Sequence, residues 1–334
     1  MTSSSAPTDN ANFWNVNHST EDAYWEAYIA TRPSYSSSNF LSLIYTYHSQ
    51  RSTPPSFTLA HDVGCGAGMV AEALASRFDH VVASDKNLSS LDVARRRLSA
   101  PSLHISFSHV SGEELSTQYE PASADLIAVA ECIPLMDDRI ALASFAQVLK
   151  PGGTLAVWIY TRPHFSEPAY KEKCQPLLDE IMDHSFAKVI KGGPPERTAS
   201  WKRAAEGLMS WLDYLDFGTD QWERIQRWKW NSKSTQMRFF GPDACDFEIE
   251  ARSRVRLEEE LIEKEDPELW KGNWNVKGVR DFVNASFPDM EAMVKADPEI
   301  QNLFSRLAKE MGGEDAIRTY TWPLALILAT RVKC

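Results

Sequence analysis

Hydrophobic and polar positions change their period several times along this chain. From Glu21 a helical spacing brings Tyr24, Trp25 and Tyr28 onto one stripe, with Thr20 placed as the N-cap. Arg32-Pro33 ends that helix, because a residue before proline avoids the α region. Phe40 to His48 reads as a second helix, and Gln50 to Ser56, with Pro54 and Pro55, as a polar linker. Short apolar runs then alternate with helical ones. Strands are expected over Thr58–Val63, His80–Ser84, Leu103–Ser108, Asp125–Ala130 and Thr154–Tyr160, and helices over Ala67–Phe78, Leu88–Leu98 and Asp138–Leu149. This is the rhythm of βαβ units, so the pattern predicts an α/β fold on a parallel sheet covered on both faces. Pro151-Gly152-Gly153 reads as a tight turn into the last of these strands.

After Tyr160 the rhythm fails. Glu167 to Phe186 is mostly helical, Lys191 to Glu196 a Gly/Pro loop, and Arg224 to Asn231 alternates like a strand. Glu258 to Glu265 reads as a charged helix face, and Trp322 to Thr330 as a buried strand. A final strand so far from the others predicts helices inserted between the last two strands of one sheet. The inserted stretch, Gly241 to Gly313, is then the natural lid over a substrate.

Composition narrows the function classes. The 334 residues carry 35 Lys and Arg against 46 Asp and Glu, a net charge of −11, which disfavours nucleic acid as a partner. No run approaches the 18 or more apolar residues of a membrane span. Met1 to Asn10 has neither a basic nor an apolar segment and reads as a tail rather than a signal peptide. Cys65, Cys132, Cys174, Cys245 and Cys334 are scattered, with no C-x-x-C, so a reducing, cytoplasmic setting is the expectation. Seven of the 11 Trp fall between Trp201 and Trp274.

The chemistry sits in His61-Asp62-Val63-Gly64-Cys65-Gly66-Ala67-Gly68, where a strand hands over to a helix. Gly64 and Gly66 let the backbone turn and approach a ligand, and Gly68 lets helix pack on strand. Asp85 follows at the end of the next strand, where a carboxylate can accept hydrogen bonds from two ribose hydroxyls. A dinucleotide fold would want its third glycine at position 69, which is Met69. Asp62 would repel a pyrophosphate but suits a cationic ligand.

Acidic-x-G-x-G-x-G followed by an acid on the next strand is the pattern of the class I S-adenosylmethionine-dependent methyltransferases, which this chain resembles over roughly 60–160. The resemblance implies a Rossmann-like fold with a seven-stranded, mostly parallel sheet, and S-adenosylmethionine as cofactor. Tyr28 through Arg32-Pro33-Ser34-Tyr35 and the terminal Thr321-Trp322-Pro323-Leu324-Ala325 further resemble the fungal trans-aconitate methyltransferase-like group. The division implied is a tail (1–12), an N-terminal helical cap (13–57), a cofactor core (58–160) and a C-terminal half with substrate-cap helices (161–334).

On this resemblance the cofactor residues are Tyr28, Arg32, Asp62, Gly64, Gly66, Gly68, Asp85, Lys86, Asn87, Gly112, Glu113, Ala130 and Glu131. Tyr28 and Arg32 would hold the methionine carboxylate, a job that suits the guanidinium fork. Gly112 and Glu113 would flank the adenine, although Glu113 reads equally as a solvated charge. Relatives often carry a His-Trp pair after the fourth strand; here Ile133-Pro134-Leu135-Met136-Asp137 stands there, so the pocket on that side is more apolar.

The implied reaction is methyl transfer to a small molecule, an organic acid or a secondary metabolite, most simply on oxygen. A carboxylate acceptor needs no base, while a phenol or alcohol does. His18, Glu131 and His164 are the candidates, each read more readily as structural or solvated, and none is singled out. Trp14, His18, Tyr35, Trp158 and Trp274 are the candidate substrate contacts, or else core packing. The alternative is a related fold that binds S-adenosylmethionine without methyl transfer and promotes a rearrangement or cyclisation.

Overall fold

The computed structural model describes residues 21–35, 40–50 and 55–333. Thr20, Trp14, His18 and the tail lie outside the described residues. In chain order the elements of the first half are α1 (Glu21–Thr31), α2 (Phe40–Ser49), β1 (Leu59–Val63), α3 (Met69–Leu74), β2 (His80–Asp85), α4 (Leu88–Arg97), β3 (Ile105–His109), α5 (Leu115–Gln118), β4 (Ala124–Ala130), α6 (Asp138–Val148) and β5 (Leu149–Tyr160). The second half holds β6 (His164–Phe165), α7 (Pro168–Ile190), α8 (Pro195–Met209), β7 (Trp222–Trp230), β8 (Glu260–Lys264), β9 (Gly272–Trp274), α9 (Val276–Asn284), α10 (Met290–Ala296), α11 (Pro298–Met311), β10 (Arg318–Thr321) and β11 (Leu324–Arg331).

Eight strands form the main sheet in the order β3-β2-β1-β4-β5-β11-β7-β8. The pairs from β3 to β5 are parallel, β11 runs antiparallel to both β5 and β7, and β8 is parallel to β7. Both faces are buried, and the strands show it residue by residue. Leu126, Ala128, Ala156, Trp158, Leu326 and Leu328 join one core, shared with α2, α3, α4, α7 and α9 to α11. The intervening Ile127, Val129, Leu155, Val157, Ala325 and Ile327 join the other, shared with α5, α6 and α8. This is the period-2 alternation of a sheet covered on both sides, which reads in sequence as a continuous apolar run.

The eighth strand is the segment whose pattern reads as a charged helix face. Glu258 to Glu265 is not helical: Gln226 pairs with Glu260 and Trp230 with Lys264 along β8. The helix expected over Ala67–Phe78 shortens to Met69–Leu74, started by Gly68 in the left-handed conformation. Pro151-Gly152-Gly153 lies inside an extended β5, where the pairing with β4 shifts register. A small antiparallel sheet, β6-β10-β9, closes the C-terminal half. Among the described residues no helix is long and apolar enough to cross a membrane.

Candidate active site

The carboxyl ends of the parallel strands open into a cavity, the place where ligands bind in open α/β sheets. The turn after β1 brings Asp62, Gly64, Cys65 and Gly66 to its wall, the end of β2 brings Asp85, Lys86 and Asn87, and the loop after β3 brings Gly112 and Glu113. Ala130 and Glu131 close it beyond β4, and α1 covers it with Trp25 and Tyr28.

The turn is held by the backbone. The N–H groups of Gly64 and Cys65 donate to the Ser84 carbonyl at 2.8 and 2.9 Å. Gly64 and Gly66 have φ of +70° and +52°, the left-handed region where a side chain is disfavoured. A Cβ on Gly64 would stand 2.5 Å from Cys132 Sγ. Gly68 does not line the cavity. A Cβ there would meet Leu98 Cδ1 at 2.6 Å, so its contribution is close packing of α3 on α4.

Two carboxylates face the space. Asp85 accepts from the Gly66 N–H (2.9 Å) through Oδ2 and from the Asn87 N–H (2.8 Å) through Oδ1, which fixes its orientation. Burial raises its pKa against the pull of those two N–H groups. Asp62 is buried, and Oδ2 accepts the Ala71 N–H at 2.8 Å. Its Oδ1 is buried with no hydrogen-bond partner. Burial pushes this carboxyl up to about 7, the Ala71 N–H opposing and the Asp85 charge adding. Glu113 is tied down by accepting the Asp137 N–H at 3.0 Å.

A second cavity adjoins the first and shares Tyr28, Glu131, Leu135 and Tyr160 with it. Its further walls come from α7 (Met182, Phe186), α8 (Trp201, Ala204, Leu208), Phe239, Phe282 near the end of α9, and Ser286 and Phe287 just after it. Pro134 and Leu135 supply the apolar side after β4. Only part of this wall falls in the expected lid of 241–313; the rest precedes it.

Several expected contacts are elsewhere. Arg32 lines the second cavity, not the first. Its guanidinium lies between the Tyr28 and Phe282 rings, 4.4 Å from each, and donates to the Ala285 carbonyl at 3.1 Å. Tyr35 lines the first cavity rather than the second. Trp158 is fully buried core, with Tyr35 and Phe40 rings at 5.6 and 5.3 Å. Trp274 lines neither cavity and packs on Phe282, Tyr320 and Trp322. His164 is buried away from both, bonded to the Gln236 carbonyl at 3.3 Å, and burial pushes its pKa down to about 4. It is a neutral structural histidine.

Sequence reasoning missed Arg162 and the ring cluster around Trp201. Arg162 is fully buried, donating to Asp179 (3.0 Å), Asp183 (2.8 Å) and the Phe239 carbonyl (2.7 Å). Asp183 also takes Arg238 at 2.7 Å and the Gly241 N–H at 2.8 Å. The one available signal was the Trp density after Trp201.

Residues 60–153 match the family model for the methyltransferase domain. The chain is 40% identical over 337 residues to methyltransferase pgmE of Aspergillus terreus, covering 99% of this chain and 100% of that one. It is 37% identical to methyltransferase cfoB of Aspergillus candidus, covering 92% and 95%. Among solved structures, a protein described as a type II methyltransferase from Anaeromyxobacter dehalogenans superposes with a TM-score of 0.53 at 17% identity, covering 86% of this chain and 94% of that one; it bears on the fold alone. Full-length identity to these fungal enzymes, together with the fold, makes this chain a member of the class I S-adenosylmethionine-dependent methyltransferases.

Proposed function

We propose that the protein transfers a methyl group from S-adenosylmethionine to an oxygen of a small organic molecule. The observation that carries this is the pair of cavities joined at Tyr28, Glu131, Leu135 and Tyr160, one at the strand ends and one lined by rings. S-adenosylmethionine, when bound, supplies a methyl group on a positively charged sulfur.

The residues of the first cavity fit it. Asp62 Oδ1, buried and unpartnered, matches an ammonium group. Asp85, oriented by two backbone N–H groups, retains lone pairs for vicinal hydroxyls. Lys86, Asn87, Gly112 and Glu113 border the space left for the adenine, and Ala130, Glu131 and Tyr28 the methionine portion. Gly64 and Gly66 keep the backbone close. The apolar second cavity excludes water and holds the acceptor in line, which is most of what such a displacement needs. A reducing, cytoplasmic setting belongs to this reading, since Cys65, Cys132, Cys174 and Cys245 are free thiols.

Calorimetry tests it. Wild-type protein binds S-adenosylmethionine in the micromolar range. Asp85→Ala leaves the Gly66 and Asn87 N–H groups without acceptors and weakens binding by about 100-fold or more, about 2.7 kcal/mol. Absence of binding heat with wild-type protein overturns the proposal. So does conversion of an acceptor with no release of S-adenosylhomocysteine.

A further inference from the structure

Resting on that methyl-transfer reading, we propose that Glu131 is the general base of the reaction and that the second cavity takes a flat, uncharged aromatic alcohol rather than a carboxylic acid.

Three independent observations carry this. The first is where Glu131 stands. It follows β4 directly and holds φ at +62°, a conformation uncommon outside glycine and one that clusters at functional sites. Its N–H donates to the Trp158 carbonyl at 2.9 Å, and its Oε1 accepts the Tyr160 N–H at 2.7 Å. Those bonds lock the side chain onto the partition between the cavities, and it lines both. Oε2 makes no hydrogen bond with a described residue and is left to the cavities. His164 is remote, so among the described residues Glu131 is the base candidate at the junction.

The second is the shape of the wall. Trp201 meets Phe287 edge-on at 5.4 Å and Phe239 at 5.8 Å, and Phe186 meets Phe287 at 5.0 Å. With Phe282, these rings give the second cavity an aromatic wall suited to a planar ring system. Thr161 Oγ1, buried on the same wall without a partner, offers a polar anchor for a second hydroxyl or carbonyl.

The third is the charge balance. Arg162 and Arg238 are matched by Asp179 and Asp183. Arg32, also on this wall, lies between the Tyr28 and Phe282 rings and donates to the Ala285 carbonyl, and its charge opposes the upward shift of the Glu131 carboxyl. An acceptor carboxylate at the junction would lie beside the Glu131 carboxyl itself. The groups facing Glu131 are Arg32 and Tyr28 from α1, Tyr35 beyond it, Tyr160 from β5, and Cys132 next in the chain. Burial lifts the Glu131 carboxyl well above its usual range, with the Tyr160 N–H and Arg32 opposing. A carboxylate shifted in this direction is a better proton acceptor than an exposed one.

In the step, the acceptor hydroxyl gives its proton to Glu131 while its oxygen forms the new bond to the methyl carbon. The carbon–sulfur bond breaks, and its electron pair stays on sulfur. Phenol, sulfonium and carboxylate become aryl methyl ether, thioether and carboxylic acid, so charge and atoms balance.

The experiment has three arms, using full-length protein. S-adenosylmethionine binding is measured by calorimetry for wild type and Glu131→Gln, whose amide oxygen can still accept the Tyr160 N–H. Binding of 2-naphthol and 2-naphthoate is measured by fluorescence in the presence of S-adenosylhomocysteine. Methylation is followed across phenols of graded acidity. Naphthol should bind at least about tenfold tighter than naphthoate, as expected where the carboxylate would lie beside another carboxylate. Glu131→Gln should lose about 100-fold or more in kcat on ordinary phenols when assayed at saturating S-adenosylmethionine. That deficit should shrink to less than about tenfold on nitrophenols already ionised at the assay pH, which need no base. Wild-type kcat/KM should rise with pH along a single ionisation that the variant lacks.

Tighter binding of naphthoate overturns the substrate class. A deficit equal across all phenols, or a wild-type profile flat in pH, overturns the base assignment, and the wild-type profile decides this even if the variant folds poorly. If wild type binds the cofactor but neither binds nor methylates any phenol or naphthol, the inference fails while the methyl-transfer proposal stands. If wild type binds no cofactor, the proposal beneath it fails.

Discussion

The two cavities meet at four residues but are made in opposite ways. The first is built by consecutive backbone. Its walls are the turns that follow β1, β2, β3 and β4, and its carboxylates are fixed by N–H groups of their own neighbourhood, Gly66 and Asn87 on Asp85 and Ala71 on Asp62. The second is built by side chains from α1, α7, α8 and α9 that meet only after the chain folds. A backbone site needs particular residue types at fixed spacing, because only glycine takes the left-handed turn and only an acid satisfies those donors. A side-chain site needs only rings of suitable size, and it can vary without disturbing the sheet.

The largest test of that contrast is Arg162. Its charge is fully buried, and it joins the β5–β6 connection to α7 and to Phe239. Arg162→Leu leaves Asp183 facing Arg238 alone and should cost about 3–5 kcal/mol of stability, the usual penalty for removing one partner of a buried ion pair. Urea denaturation measures it. The cavity floor should loosen with it, so naphthol binding should weaken while S-adenosylmethionine affinity of the folded protein is unchanged. Equal loss of both ligands would mean the cavities are one cooperative unit.

Asp62 probes the other half. Its carboxyl rises from an ordinary 3.8 to about 7 in the folded protein. The folded state therefore holds the proton more tightly than the unfolded chain. Its contribution to stability is fullest below about pH 4 and falls as pH rises to about 7. Without ligand, Asp62→Asn should be the more stable protein at pH 8 by on the order of 2–4 kcal/mol, with the two converging toward pH 4. The same variant should bind S-adenosylmethionine more weakly. Parallel stability curves across that range would show that the buried carboxylate finds a partner the fold does not display.

These differences explain what was legible in the chain. The strands from Leu59 to Tyr160 were readable because each is a short apolar run between turn signals, and the Asp62-to-Gly68 motif because backbone geometry dictates residue type. That Arg32 faces the second cavity was not legible, because a guanidinium beside a proline says nothing of which cavity it will face. Trp158 and Trp274 went wrong for a related reason, since an aromatic in a core and an aromatic on a ligand wall carry the same hydrophobic signature. The role of Trp201 depended on where α8 lands, and no spacing within the chain encodes that.

The smallest test concerns β8, where the pattern itself inverts. Glu259, immediately before the strand, is buried and ion-paired with Arg227, whose guanidinium also donates to the Leu212 and Leu215 carbonyls at 3.0 and 2.8 Å. Leu261, inside the strand, is 57% exposed. An acid turned inward and a leucine turned outward defeat any reading that assumes apolar residues face the core. The strand is held instead by main-chain pairing with β7, by Gln226 donating to Glu260 at 2.7 Å, and by Lys264 over the Trp228 ring at 4.7 Å. Charged residues on such an exposed edge also discourage pairing with another chain. Leu261→Lys should thus change stability by less than about 0.5 kcal/mol and leave both ligands' affinities untouched. A loss of several kcal/mol would mean that Leu261 is covered in solution, and that the edge of the sheet is not free.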